Sequence, residues 1–446
     1  MAAIIDYRGK TPEKTSSGIP LITAKIVKDG RIEDPEEFIA EDAYEQWMRR
    51  GMPEAGDVVL TTEAPLGEVA QLDGRKVALA QRIITLRGKP GVLDNAYLKF
   101  ALQSQPMQEQ LHGRASGSTV TGIKQSELRK LQLTFPALAE QQRVACVLGS
   151  LDDKINLNRS INQTLEAMAQ AIFKSWFVDF DPIKAKIAAI QDGRDPLRAA
   201  MSAISGKTDA ELDSVAPKQY EHLAATATRF PEEMEESEFG EIPKTWVCGA
   251  LGDICSFTAG SAFKPEHQGS TEGDYPFIKV SDMNLAGNEV FIQSANNYVS
   301  KDQRSEMKVK LHPLGATVFA KIGVALTSNR RRLLTTPTII DNNLMSVSPI
   351  EGKSGRYFLY STLSTIDFNT LVSGTALPYV NVSDLKKISI VRPPLEVVLA
   401  FEATVSSMFS MMLTLAAQRS TLTAIRNNLL PKLLSGEVEV PAMLGC

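Results

Sequence analysis

The sequence predicts an α+β fold. Two mixed α/β domains are separated by two long helices that form an antiparallel coiled coil, arranged as a pseudo-two-fold internal repeat. Three observations predict it. A stretch near residue 120 recurs 257 residues later. Each copy passes from short β-branched runs into a long helical stretch. Both helical stretches carry an apolar stripe at a 3–4 spacing.

An internal repeat constrains the whole fold. Residues 116–138, SGSTVTGIKQSELRKLQLTFPAL, align without a gap with residues 373–395, SGTALPYVNVSDLKKISIVRPPL. Gly117 meets Gly374, Ser126 meets Ser383, Leu128 meets Leu385 and Pro136 meets Pro393. Weaker echoes keep the same order. Ile19–Ile22 matches Tyr275–Ile278, Gly56–Val59 matches Gly315–Val318, and Tyr97–Phe100 matches Tyr357–Tyr360. The drift of a few residues is that of surface-loop insertions.

The first domain is expected over residues 1–136, with strand-like runs such as Val58–Thr61 and Arg82–Leu86 and a helical interlude over Tyr97–Gln110. A long helix follows over 137–180, with packing positions Leu148, Leu151, Ile155, Leu165 and Ile172. The second domain is expected over 241–393. Its helix spans 394–436, with Val405, Met408, Met412, Leu422 and Leu429 as packing positions, and a tail covers 437–446. Both helices are read as free of internal breaks. About forty residues at 1.5 Å rise make a rod of roughly 60 Å, so the natural partner of each stripe is the other helix. Asn158 and Asn162 interrupt the first stripe. The plainer expectation places them off the seam in solvent; the sharper one has them fix register.

Residues 181–240 read as a linker with a helical patch near 195–205. Charge is concentrated there. Residues 181–245 hold 8 basic and 13 acidic side chains, leaving 40 against 39 elsewhere, so the overall −4 belongs to the connector. A strongly basic histone-like binder is excluded, but local basic faces are not. The sequence shows no run of about 18 apolar residues. Asp6 interrupts what would be the core of a secretory signal. The four cysteines form no CxxC pattern, which fits a reduced, cytoplasmic protein.

Catalytic patterns are absent from the sequence. The strings Gly9-Lys10-Thr11, Gly206-Lys207-Thr208 and Gly352-Lys353-Ser354 have Ile4, Met201 and Val347 where a phosphate-binding loop needs its first glycine. The four histidines are scattered, and there is no HExxH or GxSxG. Glu306-Met307-Lys308 has nuclease-like spacing but no Pro-Asp to complete it. A binding role without catalysis is expected, with no metal or cofactor in this chain.

At this point the residues resemble a family. The paired SGSTVTGIKQSEL and SGTALPYVNVSDL strings carry the likeness, with FPALAEQQRV at 135–144, IFKSWFVDFDP at 172–182, GEIPKTW at 240–246 and LLPKLLSGEVEV at 429–440. Together they look like the specificity subunit of a type I restriction–modification system. One departure stands out: copy two opens with Trp246–Ile254, and nothing equivalent precedes Ile4 in copy one. The resemblance implies two target-recognition domains, each reading half of a bipartite site in double-stranded DNA, with the helices as a ruler for the gap. It implies two modification subunits carrying S-adenosylmethionine and two motor–nuclease subunits using ATP and Mg²⁺, as partners. A protein scaffold with two adaptor heads is the alternative.

Direct readout needs Arg or Lys for guanine and Asn or Gln for adenine, carried on loops. The candidates in copy one are Arg8, Lys10, Lys25, Thr61, Thr62, Gln81, Arg82, Ser118, Thr119 and Lys124. In copy two they are Lys264, Lys279, Ser281, Lys321, Asn342, Asn343, Thr375 and Tyr379. The run Arg330-Arg331-Arg332 is the densest basic cluster, expected in a loop against phosphate.

Overall fold

The structure, a computed structural model, describes residues 1–7, 11–117, 120–374 and 377–441. It divides into two compact units, 1–157 with 421–446 and 158–420.

In unit 1 the strands are β1 (Ala3–Asp6), β2 (Ile19–Ile22), β3 (Val27–Lys28), β4 (Arg31–Ile32), β5 (Phe38–Ile39), β6 (Val58–Thr62), β7 (Leu66–Gln71), β8 (Ala78–Leu79) and β9 (Ile83–Arg87). They build a four-stranded sheet in the order β1-β9-β6-β7, a three-stranded sheet β5-β2-β8 and the β3-β4 hairpin. Helices α1 (Tyr44–Trp47), α2 (Asn95–Gln103), α3 (Gln105–Gly113) and α4 (Gln125–Leu128) follow the chain, and α5 runs from Leu138 to Phe177. Asp94 starts α2 by accepting from the Tyr97 amide, an N-cap that satisfies one of the helix's orphan donors.

Phe180, in the left-handed conformation at φ 57°, ends the path of α5, and Pro182 opens the next helix. Residues 181–228 are not the linker expected from sequence. They form α6 (Asp181–Gln191), α7 (Pro196–Ser205), α8 (Asp209–Leu212) and α9 (Pro217–Thr228), packed around buried Ala200, Met201, Leu212 and Ala227. The acidic count obscured this. Arg198 bridges Asp209 and Asp213 at 2.7 and 2.9 Å, so part of the negative charge is neutralised locally while the small apolar residues face inward. A hairpin of β10 (Met234–Ser237) and β11 (Gly240–Pro243) closes the segment.

The rest of unit 2 repeats the first design. It contains β12 (Val247–Ala250), β13 (Cys255–Ala259), β14 (Tyr275–Ile278), β15 (Phe291–Ile292), β16 (Tyr298–Val299), β17 (Thr317–Ala320), β18 (Arg332–Leu334), β19 (Ile339–Ile340), β20 (Leu344–Pro349) and β21 (Ser389–Arg392). The sheets are β13-β20-β17-β18-β15 and β16-β14-β19, matching the order of unit 1 strand for strand apart from one added edge. Helices α10 (Lys301–Met307), α11 (Val324–Thr327), α12 (Arg356–Thr365), α13 (Val382–Lys386) and α14 (Leu395–Ser435) complete the chain. The β12·β21 pair belongs to copy two alone among the described residues. In copy one, residues 132–135 stand where β21 stands but form no strand.

α5 and α14 pack antiparallel within each unit. In unit 2 the Asn158 Nδ2 donates to Gln418 Oε1 at 2.8 Å, Asn162 Nδ2 to the Met412 carbonyl at 3.0 Å, and Phe173 meets Phe401 with centroids 5.7 Å apart. In unit 1 Asp152 meets Arg426 at 2.8 Å. Asn158 is fully buried, which overturns its solvated reading and favours the register role. Leu148, Val405 and Met412 are fully buried; Leu151, Ile155, Leu165, Ile172, Met408, Leu422 and Leu429 are half-buried. Contrary to the break-free expectation, α14 contains Pro431, one turn from its end. By length and composition α14 would suffice to cross a bilayer. Its Phe401, Val405, Phe409 and Met412 are instead core residues of unit 2.

Two side chains make the packing testable. Asp152 is buried between Lys99 at 2.5 Å and Arg426. Asp152→Ala strands the Lys99 ammonium in the interior, and chemical denaturation should show a loss of about 3–5 kcal/mol. His312 is 1% exposed beside the Ser346 hydroxyl, and burial lowers its pKa to about 4. The unfolded chain therefore takes up this proton first, so stability is full above pH about 6.5 and falls as the pH drops towards 4. His312→Asn should remove up to about 3 kcal/mol of that pH dependence, measured as denaturation midpoints between pH 7 and 4.5.

Candidate nucleic-acid interface

Each unit carries one parallel strand pair in its small sheet, and these pairs gather the candidate residues. In unit 1, Leu21 pairs with Ala78 and Ile22 with Leu79. Parallel pairing sends both strands out of the sheet on the same side, so the loops that follow them emerge together. The Ala80 amide donates to the Ile22 carbonyl (2.9 Å), and the Thr62 amide to the Arg82 carbonyl (2.9 Å). The Ile123 amide donates to the Thr62 carbonyl (3.0 Å), and Gly122 bridges to both Glu63 and Ser116.

Unit 2 repeats this set bond for bond. Phe277 pairs with Ile339 and Ile278 with Ile340. Asp341 donates to Ile278 (3.0 Å), Lys321 to Asn343 (2.9 Å) and Val380 to Lys321 (3.1 Å), while Tyr379 bridges to Ile322 and Ser373. Thr62 and Lys321, Arg82 and Asn343, and Gly122 and Tyr379 are therefore structural equivalents. One frame of three segments is built twice and furnished differently.

In unit 1 the frame borders a cavity of about 330 Å³, lined among others by Lys14, Lys25, Glu37, Gln81 and Arg82. Arg82 pairs with Glu63 at 3.0 Å, Lys14 with Glu37 at 3.0 Å and Lys25 with Glu36 at 3.2 Å. In unit 2, Lys279 donates to Gln268 Oε1, and its ammonium lies 5.3 Å from the centre of the Phe263 ring. Asp341 accepts from the Asn343 amide at 2.8 Å. Burial raises the Asp341 carboxyl above the usual carboxylate range, against the opposing Asn343 hydrogen bonds and Lys279 charge. Sequence reasoning passed over Asp341, Glu63, Lys14 and Glu37. Aligning Asp341-Asn342-Asn343 with Ala80-Gln81-Arg82 at an offset of 261 would have exposed the first.

The other candidates separate by burial. Lys25, Arg82, Lys124, Lys264, Ser281, Asn342, Asn343, Arg330 and Tyr379 are exposed, and Gln81, Lys279 and Lys321 are half-buried. Lys264 sits 3.6 Å from Glu266. Arg8, Lys10, Ser118, Thr119 and Thr375 lie outside the described residues. Thr61 and Thr62 are corrected: both are fully buried in β6, where Thr61 Oγ1 accepts from the Glu68 amide, so neither can meet a base edge.

Two arginines of the basic run are corrected as well. Only Arg330 is exposed, and it donates to Asn284 Oδ1. Arg331 is 4% exposed, stacks 3.8 Å above the centre of the Phe368 ring and donates to the Ile366 carbonyl at 2.5 Å. Burial lowers its pKa to about 10, so it stays charged. Arg332 is half-buried and donates to the Arg331 carbonyl at 2.8 Å. Burial lowers its affinity for the proton, opposed by the charges of Glu166 and Glu289. Arg331 is thereby fixed against the core of unit 2.

Comparisons with known proteins give the family and the fold. The profile of the type I restriction modification DNA specificity domain matches residues 7–167 and again 243–397, the two copies found here. The HindI specificity subunit of Haemophilus influenzae is 36% identical over 340 residues, covering 72% of each chain. The MjaIX specificity subunit of Methanocaldococcus jannaschii is 28% identical over 436 residues, covering 97% of this chain and 89% of its own. The crystal structure of a type I restriction–modification S subunit from M. genitalium superposes with a TM-score of 0.52 at 16% identity, covering 97% and 93% of the two chains, and shares the fold. A duplicated α+β fold with one polar loop frame per copy defines a two-headed recognition protein. This chain belongs to the family of type I restriction–modification specificity subunits.

The division of the basic run has a direct check. Arg331→Ala should lower stability by about 2–4 kcal/mol, because it removes a ring-stacked, hydrogen-bonded guanidinium from the interior. Arg330→Ala should leave the melting temperature unchanged. Thermal unfolding of the two variants side by side tests this.

Proposed function

We propose that this chain reads a bipartite site in double-stranded DNA, one half-site per unit, and does so as the non-catalytic subunit of a larger assembly. The observation that carries the reading is the loop frame built twice on identical backbone hydrogen bonds with different side chains. The same backbone with different donors and acceptors is what two different half-sites require. The exposed or half-buried members Lys25, Gln81, Arg82, Lys124, Lys264, Lys279, Ser281, Lys321, Arg330, Asn342, Asn343 and Tyr379 are the proposed DNA-facing residues.

The helix pair sets the gap between half-sites; this draws support from the unbroken length of α5 and from the antiparallel contacts in each unit. Two modification subunits, with S-adenosylmethionine, and two motor–nuclease subunits, with ATP and Mg²⁺, are the proposed partners. The chemistry would then lie in their pockets, including extrusion of the target base. The cytoplasm, where the DNA is, is the proposed location.

Binding of the reconstituted complex to DNA, followed by gel shift against ionic strength, tests the reading. Log affinity should fall linearly with log salt, and Arg330→Ala should reduce the slope by about 1. A complex without salt-sensitive DNA binding would leave a protein scaffold. Inserting one helical turn into both α5 and α14 should change the preferred gap and leave the half-site sequences untouched, read from the positions of methylated adenines.

A further inference from the structure

We infer that the two-residue turn after the second parallel strand, Gln81-Arg82 in unit 1 and Asn342-Asn343 in unit 2, makes the two units read different bases. Arg82 takes a guanine edge, and the asparagine turn takes an adenine edge. The inference rests on the DNA-recognition reading above.

The frame fixes where this turn stands. On one side the Ala80 and Asp341 amides are tied to Ile22 and Ile278; on the other the Arg82 and Asn343 carbonyls accept from Thr62 and Lys321. Backbone position is thus the same in both units, and only the side chains change. At the turn, Arg82, Asn342 and Asn343 are exposed and Gln81 is half-buried.

Each unit also holds the turn ready. Glu63 grips Arg82 through Nε at 3.0 Å and orients the planar guanidinium, whose fork matches the two acceptors of guanine. In unit 2 the equivalent of Ala80 is Asp341, whose carboxylate accepts from the Asn343 amide and sets the turn. An asparagine amide presents one donor and one acceptor, the pattern that pairs with adenine. The change from Arg to Asn removes a charge at a conserved backbone position. It alters what is read, while anchoring falls to other residues.

The test uses the full chain assembled with its modification subunit and a randomised DNA library, with methylated adenines mapped by sequencing. The variants are Q81N/R82N, N342Q/N343R and Arg82→Lys. Q81N/R82N should change preference at one base pair of the half-site read by unit 1 by about ten- to hundredfold, with the other half-site and the gap unchanged. N342Q/N343R should do the same for the other half-site. Arg82→Lys keeps the charge and loses the fork, so base preference should relax while the salt dependence stays. An unchanged recognition sequence in the swapped variants would overturn the inference. So would a uniform loss of affinity across all sequences with a smaller salt dependence, which marks a phosphate contact. Both results leave the DNA-recognition reading standing. That reading fails separately, if the unaltered complex methylates without sequence preference.

Discussion

Phe401 meets Phe173, Trp176, Phe177 and Phe358 with ring centroids between 5.3 and 6.4 Å apart. This aromatic knot joins the end of α5, the start of α14 and helix α12 of the second recognition domain. A forty-residue amphipathic helix cannot bury its stripe inside a small domain, so each long helix needs the other and the domain helix that caps the pair. Trp246 and Phe230, at the edges of the connector, seal the same knot. The connector is thereby part of the core that positions the recognition fold.

The repeat meets the same demand with different physics in unit 1. Asp152 occupies the position of Phe409, 257 residues earlier. Phe409 stacks on Tyr357 at 4.1 Å, whereas Asp152 draws Lys99 and Arg426 into an ionic clamp. The two solutions differ in their failure modes. Truncating an aromatic loses buried area, but truncating the carboxylate leaves uncompensated charge behind. In unit 2 polar glue sits elsewhere, at Tyr360 and Glu166, 3.1 Å apart, where burial pushes the Glu166 carboxyl up.

Much of the fold was legible in the sequence, because a gapless 23-residue repeat and a 3–4 apolar period are local patterns. The bounds of α5 and α14 fall within three residues of those expected. The helical connector was not legible. About half of its apolar residues are alanines, a weak periodic signal, and its carboxylates read as a solvated run until Arg198 is seen between them. Site residues were harder still. Thr61 and Thr62 look like loop hydroxyls but close a fully buried strand, and Arg331 looks like a phosphate contact but faces a phenylalanine. Neighbours in sequence do not reveal which way a side chain points, and that depends on partners such as Ile83 opposite Thr61 and Phe368 beneath Arg331. Gln81, Arg82, Asn342 and Asn343 were legible as donors, while their equivalence emerged only from the backbone bonds around them.

Among the described residues lining the unit 1 cavity, each cation has a carboxylate beside it: Lys14 with Glu37, Lys25 with Glu36, Arg82 with Glu63. Such a surface is close to neutral, so it releases few counterions and attracts a polyanion weakly by itself. On the proposed reading of base edges this is an advantage. Exposed ion pairs of this kind contribute at most about 1 kcal/mol, so they orient the donors without locking them. The carboxylate beside each donor repels phosphate wherever the donor finds no base. A balanced frame therefore penalises wrong sequences more than it favours DNA in general. On the same reading, affinity comes from elsewhere in the assembly and this chain supplies the choice.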